Sequence, residues 1–227
     1  MRKMKPAHAP TNPVVARLRS LAVVVALLAV LGCTMAYYEA LETVGIEKRD
    51  ILVDRVEDAR DAQTDAKEQF ESALEQYRSV VAIDGGSLEE TYDRLNDQYE
   101  ASESRAEAVT DRIEAVEAVA GDLFDEWENE LDDYSDAGLR RQSERLLRDT
   151  RTRYQEVVAA MHRAEGAMAP VLTLFQDQVL VLRHNLNARA IGALENELDE
   201  IEQATSALID EMERAIAEAS AFIESMA

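Results

Sequence analysis

From Leu88 to Leu131, apolar or small residues return in alternating steps of four and three: Leu88, Tyr92, Leu95, Tyr99, Ser102, Ala106, Val109, Ile113, Val116, Ala120, Leu123, Trp127 and Leu131, with Tyr134 as the alternative last position. This is a heptad seam, one stripe along a helix that other helices must cover. The spacing holds for more than six heptads, which chance rarely gives.

Three other stretches carry the same period. The first reads Leu52, Val56, Ala59, Gln63, Ala66, Phe70, Ala73, Tyr77, Val80. The third reads Leu146, Thr150, Tyr154, Val157, Met161, Ala164, Met168, Leu172, Phe175, Val179, Leu182. The fourth reads Ile191, Leu194, Leu198, Ile201, Thr205, Leu208, Met212, Ala215, Ala219, Phe222, Met226. Small residues in the middle of the first let a neighbouring helix approach closely. After Cys33 the chain holds a single proline, Pro170, and Ala, Glu, Leu, Arg and Asp dominate. That is the composition of long helices. The expected fold is all-α: an elongated antiparallel four-helix bundle, with a pair of coiled-coil hairpins as the alternative.

The breaks between the seams are short. The first helix is expected from near Tyr37 to just before Asp84. Asp84-Gly85-Gly86 stops it, since glycine accepts the positive φ of a tight turn. Ser87 and Glu90 then form a capping box for the second helix, which is expected to run to about Tyr134. Ser135-Asp136-Ala137-Gly138 is the next break. Pro170 falls inside the third helix, where it removes a backbone hydrogen bond to Gly166; a bend is expected there, not a stop. His184-Asn185-Leu186-Asn187 is read as the last turn, because asparagine tolerates turn conformations.

The stretch Leu21–Cys33 decides where the body is expected to reside. Eleven apolar residues, Leu21–Leu31, follow a leader with Arg2, Lys3, Lys5, Arg17 and Arg19, the charge-then-apolar order of a secretory signal. Val30-Leu31-Gly32-Cys33 resembles a bacterial lipobox, in which cleavage precedes a cysteine that then carries lipid. Leu31 is bulkier than usual at its position. The expected division is a lipoprotein-type signal peptide over 1–32 and a helical bundle over 33–227, with Cys33 the lipidation site. A plain cleaved signal fits the flanking residues less well. An uncleaved anchor is the main rival, because apolar character continues to Tyr38, about the minimum length for a spanning helix. Either way the arginines before the apolar run place the body outside the cytoplasm. Thr34 follows the cysteine where an aspartate would resemble an inner-membrane retention signal, so the periplasmic face of the outer membrane is favoured over the inner membrane.

The net charge of −22 becomes −27 without the leader, from 19 basic and 46 acidic residues. Such a surface repels nucleic acid and anionic lipid at long range. Cys33 is the single cysteine, so the body has no disulfide. No G-x-x-x-x-G-K-[ST], G-x-S-x-G or H-E-x-x-H occurs, which removes P-loop hydrolysis and the commonest hydrolase signatures. A di-iron bundle needs Glu-x-x-His pairs. Ala159 stands three residues before His162 and Val181 three before His184, so neither qualifies. No catalytic, cofactor-binding or metal-binding residue is assigned.

Two charge runs remain. Asp122, Asp125, Glu126, Glu128, Glu130, Asp132 and Asp133 close the second seam; Arg140, Arg141, Arg145, Arg148, Arg151 and Arg153 open the third. Calcium has no EF-hand spacing here. The simplest reading pairs the runs across an antiparallel hairpin, with partner numbers summing to roughly 273. That sets Asp125 near Arg148, Glu128 near Arg145 and Asp132 near Arg141. Arginines that point away instead are read as a surface for a partner.

The run from Tyr37 to Gln63, LFDEWENELDDY at 123–134 and LRHNLNARAIGAL at 182–194 resemble a bacterial family known only as a domain of unknown function. The resemblance covers nearly all of the chain after Cys33. It implies an envelope lipoprotein with a helical body. Some similar sequences carry a DNA-repair ATPase label, which the missing P-loop and the export signal oppose. The resemblance implies no catalytic residue. The functional expectation is therefore a non-catalytic, lipid-anchored envelope protein acting as scaffold, spacer or partner-binding adaptor. It would be held to the membrane through its N-terminal lipid or an anchor helix, with an unidentified protein partner, a homo-oligomer possible, and no nucleic acid. The alternative is a single-pass inner-membrane protein whose periplasmic bundle regulates a neighbouring complex. An enzyme or metal-binding protein is the third class considered.

Overall fold

The computed structural model describes residues 48–82, 88–184 and 188–226. The chain divides into two units, Met1–Lys48 and Arg49–Ala227. The described residues form four helices: α1 (Lys48–Ala82), α2 (Leu88–Glu130), α3 (Ala137–His184) and α4 (Ala188–Met226), with a short 3-10 turn at Leu131–Asp133 after α2. Among the described residues there is no strand. At 35 to 48 residues, each helix is about 52–72 Å long at 1.5 Å per residue. The expected signal peptide, Cys33, the expected helix start near Tyr37, the expected turn and cap at Asp84–Ser87, and Asn185–Asn187 lie outside the described residues.

Polar cross-links fix how the helices pack. Asp58–Arg112, Asp65–Arg105 and Gln69–Gln98 join α1 to α2. As numbers rise on one helix they fall on the other, so the pair is antiparallel. Lys67–Glu213 and Arg78–Glu202 join α1 to α4 in the same sense, and the Arg49 guanidinium donates to the carbonyl of Met226. The Tyr77 hydroxyl donates to the Leu194 carbonyl at 2.9 Å inside the core. Thr110–Glu165 and Trp127–Ser143 join α2 to α3, and Arg163–Glu211 joins α3 to α4. Each helix thus runs antiparallel to its chain neighbours, and α4 closes against α1. This is an up-down-up-down four-helix bundle, not two independent hairpins.

The heptad positions become the core. All nine seam residues of α1 from Leu52 to Val80 are buried. On α4, Leu194, Ile201, Thr205, Leu208, Met212, Ala215, Ala219, Phe222 and Met226 are buried. The buried stripe is wider than a strict seam. Ile51, Leu74, Thr91, Val119, Phe124, Ala160, Val171 and Gln178 are also inside, because a helix with two neighbours buries flanking positions as well.

Several seam assignments shift. Leu146 is 52 % exposed and Leu147 is buried in its place. Trp127 is half-buried, not buried, and Tyr92 and Tyr99 are half-buried too. Tyr134 is exposed, and α2 ends at Glu130, short of the expected Tyr134. The cause is common to Leu146 and Tyr134. The pairing of Arg163 with Glu211 puts Met226 level with about residue 148 of α3, and the α1–α2 pairs put Lys48 level with about residue 122 of α2. Beyond those levels α2 and α3 run past the described ends of α1 and α4, and a two-helix contact covers a narrower stripe.

α3 continues through Pro170 as one helix. Its start is set by Asp136, whose Oδ1 accepts from the amides of Gly138 at 2.6 Å and Leu139 at 2.9 Å. This caps two of the free donors of the first turn. A Cβ on Gly138 would lie 2.9 Å from that same oxygen, so the cap and the glycine belong together.

Two expectations follow. Gln63 is fully buried and neither of its amide atoms has a partner. Replacing it with methionine, of similar reach, should raise stability by about 1–3 kcal/mol, the usual cost of a buried unpaired polar group, read from a chemical melt. Replacing Asp136 with alanine should lower it by about 1 kcal/mol through loss of the cap.

Candidate functional site: the α2–α3 hairpin

The polar groups gather where α2 and α3 face each other. Midway along, His162 of α3 sits between two carboxylates. Its Nδ1 is 2.8 Å from Glu165 Oε2 and its Nε2 is 2.9 Å from Glu117 Oε1 on α2. Glu165 Oε1 in turn accepts from Thr110 Oγ1 at 2.7 Å. Carboxylates only accept, so both ring nitrogens must donate and the imidazole is held as the cation. The hydrogen bond that His162 donates to Glu117, then that to Glu165, pushes the His162 pKa above its ordinary value against the opposing effect of burial. Burial alone would raise Glu165, but its bonds to His162 and Thr110 outweigh that and hold it below the usual value. Beside this clasp a groove of about 400 Å³ opens over Ala106, Gly166 and Ala169.

Towards the hairpin end, Phe124 meets Tyr154 edge-on at 5.3 Å, and the Arg151 guanidinium lies 4.9 Å above the Phe124 ring. Burial, with the charge of Glu117, pushes the Tyr154 hydroxyl up to about 12. Trp127 donates from Nε1 to Ser143 Oγ at 2.8 Å, which is how its half-buried ring is satisfied.

The charge runs do meet across the hairpin, but through other arginines than expected. Glu128 pairs with Arg151 at 2.6 Å, and Asp132 with Arg140 at 3.0 Å. The expected pairs Asp125–Arg148, Glu128–Arg145 and Asp132–Arg141 are not formed. The register itself holds: the bridged α2–α3 pairs sum to between 270 (Trp127–Ser143) and 279 (Glu128–Arg151). A sum fixes height along the axis, while azimuth selects which arginine at that height faces inward. Arg140 and Arg151 lie on the α2 side of α3. Arg141, Arg145 and Arg148 are exposed and make no ion pair among the described residues.

His184 ends α3 and is exposed. Among the described residues, no group of three or more His, Cys, Asp or Glu side chains is placed to hold a metal ion. Sequence reasoning missed the His162 clasp. It tested His162 only for a partner three residues upstream, whereas the partners are Glu165, three residues downstream, and Glu117 on another helix.

Fold and side chains together define a long-helix bundle with an outward-facing basic row. The chain belongs to the family described as protein of unknown function (DUF2959), which matches residues 37–226. No curated protein matches the chain, and no solved structure does.

The clasp gives a signed pH dependence. A raised histidine pKa contributes stability that is complete below the ordinary 6.5 and is lost as pH rises through the folded value. Glu165 acts at the other end: its contribution is present above 4.5 and lost as pH falls through its lowered folded value. The wild-type melting temperature should therefore fall relative to that of His162→Gln as pH rises above the ordinary 6.5 and through the raised folded value. Parallel thermal melts across that range would remove the clasp from the stability of the α2–α3 contact.

Proposed function

We propose that this protein is a non-catalytic, lipid-anchored helical protein of the bacterial envelope, acting as a scaffold, spacer or partner-binding adaptor on the periplasmic side of the outer membrane. The observation that carries the adaptor reading is the row Arg141, Arg145 and Arg148, exposed and unpaired although a run of carboxylates lies on the adjacent helix. A cation near a helix N-terminus opposes the helix dipole; the fold compensates Arg140 through Asp132 and leaves Arg141 without an ion pair among the described residues. The anchor reading rests on the basic leader, the apolar run Leu21–Leu31 and Val30-Leu31-Gly32-Cys33. Leu31, larger than the usual residue of a lipobox, counts against it.

A second reading is supported by the apolar residues that continue to Tyr38. In it the leader stays attached as an inner-membrane anchor and the bundle regulates a neighbouring complex. Among the described residues no helix is long and apolar enough to cross a membrane.

Mass spectrometry of the mature N-terminus from native membranes separates the two. The lipoprotein reading expects an N-terminal Cys33 carrying diacylglycerol and fatty acid, and Cys33→Ser should leave the leader uncleaved. An intact leader on the wild-type chain supports the anchor.

A further inference from the structure

Between 137 and 153, α3 carries six arginines and two carboxylates. Arg140 holds one of the two, Glu144, and Arg151 is paired with Glu128 on α2. Arg141, Arg145 and Arg148 are exposed and make no ion pair among the described residues. They form a row about 10 Å long on one rigid helix, at about 1.5 Å per residue. Two apolar side chains lie alongside. Leu139 and Leu146, one heptad apart, are 56 % and 52 % exposed. At about 100° per residue, Leu146 stands about 100° round α3 from Arg145, with exposed Gln142 between them. The leucines prolong the stripe that is buried at Val157 and Ala164. Met226 of α4 comes level with about residue 148, so α4 does not cover them. Asp149 stands on the same side, one turn from Arg145, and leaves the face basic.

We propose that this face of α3 binds an acidic amphipathic helix of another protein, laid along α3 past the described end of α4. Its apolar residues would rest on Leu139 and Leu146, and its carboxylates on Arg141, Arg145 and Arg148. Cations spaced i, i+4, i+7 on one helix match carboxylates at the same spacing on a second, and the leucines supply the seam that such a pair needs. A single helix, about 10–12 Å wide, lies on α3 alone. An anionic membrane is flat and also meets the α2 end, and ten acidic residues outnumber six arginines between 122 and 153. A second copy docked two-fold through the same face would set arginine against arginine. Exposed ion pairs are individually weak, so the leucines carry part of the affinity and the rest is salt-sensitive. This partner rests on the adaptor reading and gives it a chemistry; it does not depend on whether Cys33 is lipidated.

The test uses the full chain in non-ionic detergent and a labelled three-heptad peptide with Leu at a and d and Glu at e and g, read by fluorescence anisotropy. Like charges at e and g keep the peptide from pairing with itself. Wild type should bind it, more weakly as salt rises, and should not bind the same peptide with Lys in place of Glu. Arg141→Gln/Arg145→Gln/Arg148→Gln should weaken binding roughly tenfold or more. Leu139→Ser/Leu146→Ser should weaken it to a similar extent. All five positions are exposed, and either set decides the matter if the other variant does not fold. Absent wild-type binding, equal binding of the Lys peptide, or unchanged affinity in a folded variant overturns the proposal. So does a wild-type dimer, or binding to phosphatidylglycerol vesicles, that the glutamine variant loses while the Glu peptide stays unbound. A photo-crosslinking residue at position 142 or 145 in intact cells tells this failure from that of the adaptor reading. Adducts with another protein, beside failed peptide binding, remove the acidic helix and keep the adaptor; no adduct at either position removes both.

Discussion

The bundle depends on one packing layer. Phe70 of α1 and Phe175 of α3, on diagonally opposite helices, stack with ring centroids 6.3 Å apart and planes 20° from parallel. Two large rings meet across the axis only if the other diagonal yields space. The antiparallel pairings bring Ser102 of α2 and Thr205 of α4 to about this level, and both are fully buried. Large opposite large on one diagonal, with small opposite small on the other, is a jigsaw that a slipped register would spoil. Ser102 returns its hydroxyl hydrogen bond to the Gln98 carbonyl, four residues back, whereas the Thr205 hydroxyl has no partner. Close packing is therefore reached at the expense of polar satisfaction at Thr205, and again at Gln63.

That layer explains why so much was legible in the sequence. Where four helices overlap, a seven-residue period and an inward position are the same thing. Leu52 to Val80 on α1 and Leu194 to Met226 on α4 obey it almost without exception. The rule assumes cover from two neighbours, and it fails where that cover ends. Leu139 and Leu146 are more than half exposed although Leu146 continues the spacing. Tyr99, nominally a seam residue, instead turns its hydroxyl towards Glu103 Oε1 at 2.8 Å, and burial raises it to about 12. Periodicity records which way a helix faces, and it does not record how far its neighbours reach.

The electrostatic pattern was legible to the same depth. Antiparallel order and a turn position predict heights, and the observed bridges respect them on every helix pair. Exposed bridges add little stability one by one. Distributed over α1–α2, α1–α4, α2–α3 and α3–α4, they penalise any sliding of one helix past the next, since a shift of one turn breaks several at once. The choice of Arg151 over Arg145 for Glu128 lay beyond the sequence. It turns on azimuth, and on the Phe124 ring that gives the Arg151 guanidinium a flat surface to lie against.

The hairpin end shows what this accounting leaves over. Asp132, just past the end of α2, and Arg140, in the first turn of α3, each sit at the wrong pole of a helix dipole. Their bridge lets each neutralise the other, so the fault at that position is repaired inside the chain. Asp136 adds a proper cap to α3. With the first turn already capped and its one paired arginine already satisfied, Arg141, Arg145 and Arg148 remain without an ion pair among the described residues. Their stripe also stands about 140–160° round α3 from buried Ser143. Three uncompensated cations held in register on a rigid helix, in a chain of net charge −22, are better accounted for by an external contact than by the fold.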